Sequence, residues 1–186
     1  TRRPIKDTGF GLIYGMGLDK LARKIESDKK VAKTIRDAYL SIFPGLGELN
    51  RELLWRGRSG QAIRTWGGRE YFVEPPRYVE KFGRVQTFEY KLLNVLIQGS
   101  AADNTKEAII RYDEHPKRRA RFLLTVHDEF LVSCPKAQLV PQMRVLREAI
   151  ESVKFDVPML SEGEWGTDWS SLKPFDERGK EIYHGK

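Results

Sequence analysis

The chain has 186 residues, 40% of them hydrophobic and 32% charged, a composition that allows one ordinary domain or two small ones and contains no apolar run long enough to span a bilayer. Its 33 Lys and Arg against 26 Asp and Glu give a net charge of +7, which favours a polyanionic partner; no membrane partner is expected. Cys134 is the single cysteine, so no internal disulfide can form; with no signal peptide visible, a cytoplasmic location is expected.

Residues 1–17, TRRPIKDTGFGLIYGMG, place Arg2, Lys6, Phe10 and Tyr14 four apart, along one slowly rotating stripe of a helix. Thr1 to Arg3 form the cap region, and Pro4 falls in the first turn, where its missing N–H is tolerated. Gly9 and Gly11 weaken such a helix by roughly 1 kcal/mol each relative to alanine, so something other than propensity must account for them. Residues 18–60 carry helical periodicity broken at FPGLG and again at RGRSG, which predicts several short helices. From Gln61 the apolar pattern alternates around Gly67-Gly68 and predicts two short strands joined by a hairpin turn. Residues 84–114 predict one long helix with an apolar face from Leu92 and Leu93 through Ala101 to Ile110, followed by the basic loop HPKRRAR. FLLTV and FLVSC predict two strands with His127-Asp128-Glu129 at their hairpin connection. An amphipathic helix follows Pro135, and the tail supplies a last short strand and irregular chain. Helices precede strands, so the expected class is α+β: a helical subdomain over residues 1–60 joined to an α+β subdomain over 61–186.

Three constellations carry chemistry. Arg2 and Lys6 lie one turn apart at a helix N-terminus, where unpaired backbone N–H groups already favour anions, and Phe10 or Tyr14 further along could stack on a base whose phosphates those cations hold. The same stripe also suits an exposed basic helix start with both rings in a core. Asn94 and Gln98, one turn apart, present amides that can donate to the minor-groove acceptors that all base pairs share; they equally suit a polar face bonded to a neighbouring loop. His127, Asp128 and Glu129 put ionisable groups between two apolar runs, where a buried carboxylate would cost several kcal/mol unless paired or metal-bound. A hairpin-tip aspartate joined by a second carboxylate is how Mg²⁺ is held for phosphoryl transfer. A plain solvated turn is the alternative, although such turns favour Gly or Asn, and neither is present.

Taken together, these segments resemble the C-terminal part of family A DNA polymerases, the polymerase I type. RRPIKDTGFGLIYG resembles motif B on the fingers helix, NVLIQGSAAD the helix that presents Asn and Gln to the primer-template, and VHDE motif C of the palm; FDVPML with GEWG resembles the closing segment. The resemblance implies a fingers subdomain over 1–60 and a palm over 61–186, the latter with a small antiparallel sheet packed on long helices. It implies that Arg2 and Lys6 hold the incoming deoxynucleoside triphosphate, with Lys6 also assisting departure of pyrophosphate. Phe10 would stack on the incoming base and Tyr14 would sit at the pivot of the fingers helix. Asn94, Gln98 and His127 would contact primer-template DNA. Asp128 would ligate two Mg²⁺ ions, with Mn²⁺ able to substitute, and Glu129 would act beside it.

Tyr90 stands where the family usually carries an arginine, and Pro4 and Gly9 are unusual in the fingers helix. The family's motif A strand, which bears the first metal-binding aspartate, resembles no segment of these residues, and Thr1 is not a start methionine. The expectation is a polymerase portion that does not extend primers alone. It would work as an excerpt of a longer enzyme, or as half of a split polymerase, of phage type, in the host cytoplasm with an N-terminal chain carrying motif A and the thumb. A single-subunit RNA polymerase and a non-catalytic DNA-binding accessory subunit are the alternatives.

Overall fold

In the computed structural model the described residues are 2–175, and the side chains of residues 2–7 and of Phe82 lie outside the description. The chain packs as two compact units, Thr1–Ser100 and Ala101–Lys186. This division by packing falls inside a helix and differs from the boundary expected after residue 60. Every sheet among the described residues is a two-stranded antiparallel ribbon, in keeping with the α+β expectation. No helix of the described residues is long and apolar enough to cross a membrane.

The first unit opens with four helices, α1 (Arg2–Ile13), α2 (Leu18–Lys24), α3 (Lys29–Ile42) and α4 (Pro44–Arg58). Asp28 caps α3 by accepting the Val31 N–H at 2.8 Å, satisfying one of the donors that a helix start leaves unpaired. Pro44 begins α4, which then runs through Gly45 and Gly47, so the chain breaks at Phe43 alone and not across the whole FPGLG stretch. Packing explains Gly9 of α1. A Cβ on Gly9 would lie 2.8 Å from the Tyr39 hydroxyl, and one on Gly11 would displace the terminal methyl of the flexible Met16 side chain. Leu12, Leu21, Ala22 and Ala32 form one buried cluster of this unit. Leu53, Ile63, Leu92 and Leu93 form a second, against which Ile13 of α1 also packs.

Two hairpins follow. β1 (Ile63–Arg64) pairs with β2 (Glu70–Tyr71) around Gly68, whose φ of +82° is the left-handed conformation a tight turn needs. β3 (Arg77–Val79) pairs with β4 (Arg84–Gln86) in the register Tyr78↔Val85. This second hairpin corrects the sequence expectation, because α5 starts only at Leu92 and residues 84–88 are not helical. Gly83 takes φ +57° and folds Arg84–Gln86 back on β3. A 3₁₀ turn over Glu89–Lys91 then leads into α5 (Leu92–Asp113).

The second unit is built on the C-terminal half of α5, the hairpin of β5 (Arg121–Val126) and β6 (Glu129–Ser133), and α6 (Leu139–Glu151). Tyr112, Val145 and Ala149 are buried together, with Phe122, Phe130, Val132 and Leu146 packed on them. One face of the hairpin is thereby fixed against two helices. The Tyr112 hydroxyl, fully enclosed, donates to the Ala120 carbonyl at 3.2 Å, and burial pushes its phenol above the ordinary tyrosine range. α6 starts at Leu139, after a 3₁₀ turn over Lys136–Gln138, and not directly after Pro135. The tail contributes β7 (Glu164–Trp165) paired with β8 (Lys173–Pro174).

Leu92 is 3% exposed in the core that seats α5. Leu92→Ala is expected to cost about 2–5 kcal/mol, whereas Ile97→Ala on the exposed side costs well under half of that, both read from urea unfolding midpoints. Hydrogen bonds from the serine side chains, first Ser170, whose hydroxyl donates to Asp168 at 2.6 Å, then Ser171, hold its carboxyl below the ordinary aspartate range, with the Ser170 N–H adding to them. A carboxyl lowered by folding contributes stability at neutral pH that is lost as pH falls through the acidic range, so Asp168→Asn should flatten that acid limb of the pH–stability curve.

Candidate functional site

In the first unit the candidate residues sit on two helices. α1 carries Arg2 and Lys6 in its first turns; their side chains lie outside the described residues. Phe10 and Tyr14 follow one turn apart and stack, with ring centroids 6.3 Å apart and planes inclined by 7°. The bland expectation of two core aromatics does not hold, since Phe10 is 47% exposed and Tyr14 is half-buried. Tyr14 lies just past the end of α1, its N–H bonded to the Phe10 carbonyl at 3.0 Å, and Gly15 turns the chain away at φ +78°.

On α5 the burial of Leu92 and Leu93 turns Asn94 and Gln98 outward, and both are exposed. The Gln98 Nε2 donates to the Tyr14 hydroxyl at 2.9 Å. Two residues that sequence reasoning assigned to different motifs are therefore in direct contact. The geometry also explains the glycine after Gln98: a Cβ on Gly99 would lie 2.7 Å from the Thr65 methyl. Because that side chain is absent, the β1–β2 hairpin closes on α5. The Arg69 Nη2 donates to the Gly99 carbonyl at 2.9 Å, and the Trp66 N–H donates to the Ser100 hydroxyl at 3.0 Å. Sequence reasoning missed Thr65, Trp66 and Arg69 as the residues that brace this helix; a glycine inside a helical pattern was the signal.

In the second unit β5 and β6 meet at a two-residue turn, His127 and Asp128, closed by the Val126↔Glu129 pair. Glu129 is thus the first residue of β6 and not part of the turn itself. His127 takes φ +56°, a left-handed torsion that costs an L residue on the order of 1 kcal/mol and that Gly or Asn would relieve. The Thr125 hydroxyl donates to the Glu129 carbonyl at 2.9 Å and holds the turn closed. All three ionisable residues are exposed. Among the described residues the Asp128 carboxylate has no hydrogen bond or ion pair, so its charge is not engaged in the fold. Asp128 and Glu129, two adjacent carboxylates without an ion pair among the described residues, are hard oxygen donors of the kind that hold Mg²⁺ with the help of water and phosphate. They fit such an ion as a partial ligand set, since no group of three His, Cys, Asp or Glu gathers into a metal site among the described residues.

Comparison with known proteins meets this geometry from a different direction. Residues 1–171 match the family described as DNA polymerase family A. The chain is 32% identical over 178 residues to DNA polymerase I of Chloroflexus aurantiacus, spanning 93% of this chain and 19% of that protein. Against the thermostable DNA polymerase I of Thermus aquaticus it is 30% identical over 174 residues, 92% of this chain and 21% of that protein. Among solved structures, the POL domain of Pol1 from M. smegmatis, in complex with DNA primer-template and dNTP, superposes with a TM-score of 0.72 at 30% identity, over 85% of this chain and 28% of that one. The chain belongs to DNA polymerase family A. It spans about a fifth of the length of the curated relatives it matches.

Because Asp128 is exposed and unpartnered, Asp128→Asn should leave the unfolding free energy within about 0.5 kcal/mol of the parent. Tyr14→Phe keeps the ring and removes one exposed hydrogen bond, so it should cost at most about 1 kcal/mol by the same urea titration.

Proposed function

We propose that these residues are the fingers, 1–60, and the C-terminal part of the palm, 61–186, of a template-directed DNA polymerase that adds deoxynucleotides to a primer 3′ end by two-metal nucleotidyl transfer. The observation that carries this reading is the hairpin-tip Asp128, exposed, without a partner among the described residues, and displayed on a turn that strains His127 to form. A carboxylate engaged in an internal ion pair would argue against it.

Asp128 and Glu129 would hold Mg²⁺, or Mn²⁺ in its place, together with a carboxylate supplied by polymerase sequence outside these residues, in the same polypeptide or in a companion chain bearing motif A and the thumb. Bound there, the ions would stabilise charge on the attacking and leaving oxygens of the transferred phosphoryl group. The other roles belong to this chain's own side chains. Arg2 and Lys6 would grip the triphosphate at the start of α1, and Lys6 would supply a proton or charge to the departing pyrophosphate. Phe10 would offer its exposed ring to the incoming base. His127 would contact the primer terminus beside Asp128.

Asn94 and Gln98 would donate to minor-groove acceptors common to every correct pair, testing shape without reading sequence. The Gln98 amide is bonded to Tyr14, which stands at the end of α1 before the Gly15 turn. Movement of the fingers helix would therefore be linked to release of that amide toward the base pair. Such a link fits closure that completes the site only around a fitting substrate.

The test is primer extension with Mg²⁺ by the polymerase that contains these residues, reconstituted with motif A sequence where that lies on a separate chain. Asp128→Asn should lower kcat by roughly 10²-fold or more while DNA affinity stays near the parental value, and the residues 1–186 alone should give no extension. Extension undiminished in the variant would refute the catalytic role and leave a DNA-binding accessory subunit as the better account.

A further inference from the structure

The basic loop between α5 and β5 has no part in the chemistry above, yet its backbone is held at almost every polar group. Gln142 of α6, 2% exposed, accepts the Arg119 N–H at 2.8 Å and the Ala120 N–H at 2.9 Å through its Oε1, and donates through Nε2 to the Lys117 carbonyl at 3.2 Å. The Lys117 N–H donates to His115 Nδ1 at 3.2 Å, and the Ala120 carbonyl accepts from the buried Tyr112 hydroxyl. A loop anchored in this way loses little conformational entropy when something binds to it.

The side chains that this loop displays are not neutralised to match. Arg118 pairs with Asp113 at 3.1 Å and lies over the Tyr112 ring. Lys117 and Arg121 are exposed and have no side-chain partner among the described residues. Arg119, also exposed, reaches only the carbonyls of Pro116 and Arg118. Elsewhere Arg36, Arg56, Arg64 and Arg111 each have a carboxylate in contact. Glu114 is the nearby acid without an ion pair among the described residues, and it offsets only one of the three charges.

We propose that Lys117, Arg119 and Arg121 form a preorganised docking surface for the sugar-phosphate backbone of duplex DNA, separate in sequence from the residues assigned to nucleotide and minor-groove contact. The choice of DNA as occupant rests on the polymerase reading. Three exposed cations on a braced backbone, without carboxylate partners among the described residues, suit a polymer whose charge repeats along its length, and they would contribute affinity without sequence preference.

The experiment is fluorescence anisotropy of a labelled mixed-sequence primer-template with the full chain and with Lys117→Gln/Arg119→Gln/Arg121→Gln across a salt series. Each phosphate contact contributes about 0.9 to the slope of log K against log salt, so the triple variant should lose about 2.7 from it, a difference near 40-fold in affinity loss between about 50 and 200 mM salt. The substitution Lys20→Gln/Lys24→Gln/Lys30→Gln removes the same charge from another exposed surface and should change the slope less. An unchanged slope in the loop variant, or an equal loss in the control, overturns the surface while leaving the polymerase reading standing. A parental chain that binds no duplex also overturns the surface, while the polymerase reading is decided separately by primer extension with the polymerase that contains these residues. Displacement of the duplex by poly-glutamate at matched charge would assign the loop to an acidic protein segment and overturn the proposal.

Discussion

The seating of the first turn of α5 sets most of what the first unit presents. Leu92 and Leu93 enter the core made by Leu53 and Ile63, and a helix so anchored has no rotational freedom left. Asn94 and Gln98 must then face outward, and the bare backbone at Gly99 must face the β1–β2 hairpin, where Thr65 and Arg69 close on it. Tyr14 is reached only because the same core also takes Ile13 of α1. Hydrophobic burial thereby decides where polar chemistry is displayed: nothing in the amides themselves orients them.

Polar side chains in this chain divide by whether the fold occupies them. Gln142 is buried with its amide making three hydrogen bonds to one loop, and Asp168 serves a capping box; both are engaged before any ligand arrives. Asp128 and Glu129 are exposed at the head of a braced hairpin, and Lys117 and Arg121 stand on a braced loop. In each case the backbone is held tightly while the charged group is left unengaged. Rigid support under an unsatisfied charge is the arrangement that binding and catalysis favour, because the ordering cost has already been met in folding.

Much of this was legible in the sequence, for reasons that are local. The β5–β6 hairpin was marked by two β-rich runs around a polar break, α1 by basic and aromatic residues four apart, and α6 by apolar spacing. The β3–β4 hairpin was not legible: residues 84–91 place apolar groups at intervals that a helix also satisfies, and only the left-handed torsion at Gly83 decides between them. Gly9 of α1 posed a question that the Tyr39 ring answers, and that neighbour could not be inferred from spacing alone. The Tyr14–Gln98 hydrogen bond joins residues 84 positions apart, beyond what any local pattern encodes. The family resemblance brought the two motifs together as a function, but the contact itself is a property of the packing.

The torsion at His127 places a limit on how this hairpin could drift over evolutionary time. With only two residues in the bend and one of them in the mirror-image well, the strands on either side are locked in phase: adding or deleting a single residue would rotate every following side chain of β6 to the opposite surface and pull Phe130 and Val132 from the helices beneath. The packing beneath therefore fixes the length of the tip. An imidazole at that corner carries a torsion that asparagine or glycine would adopt more comfortably, so the bend holds its length at a small cost in strain.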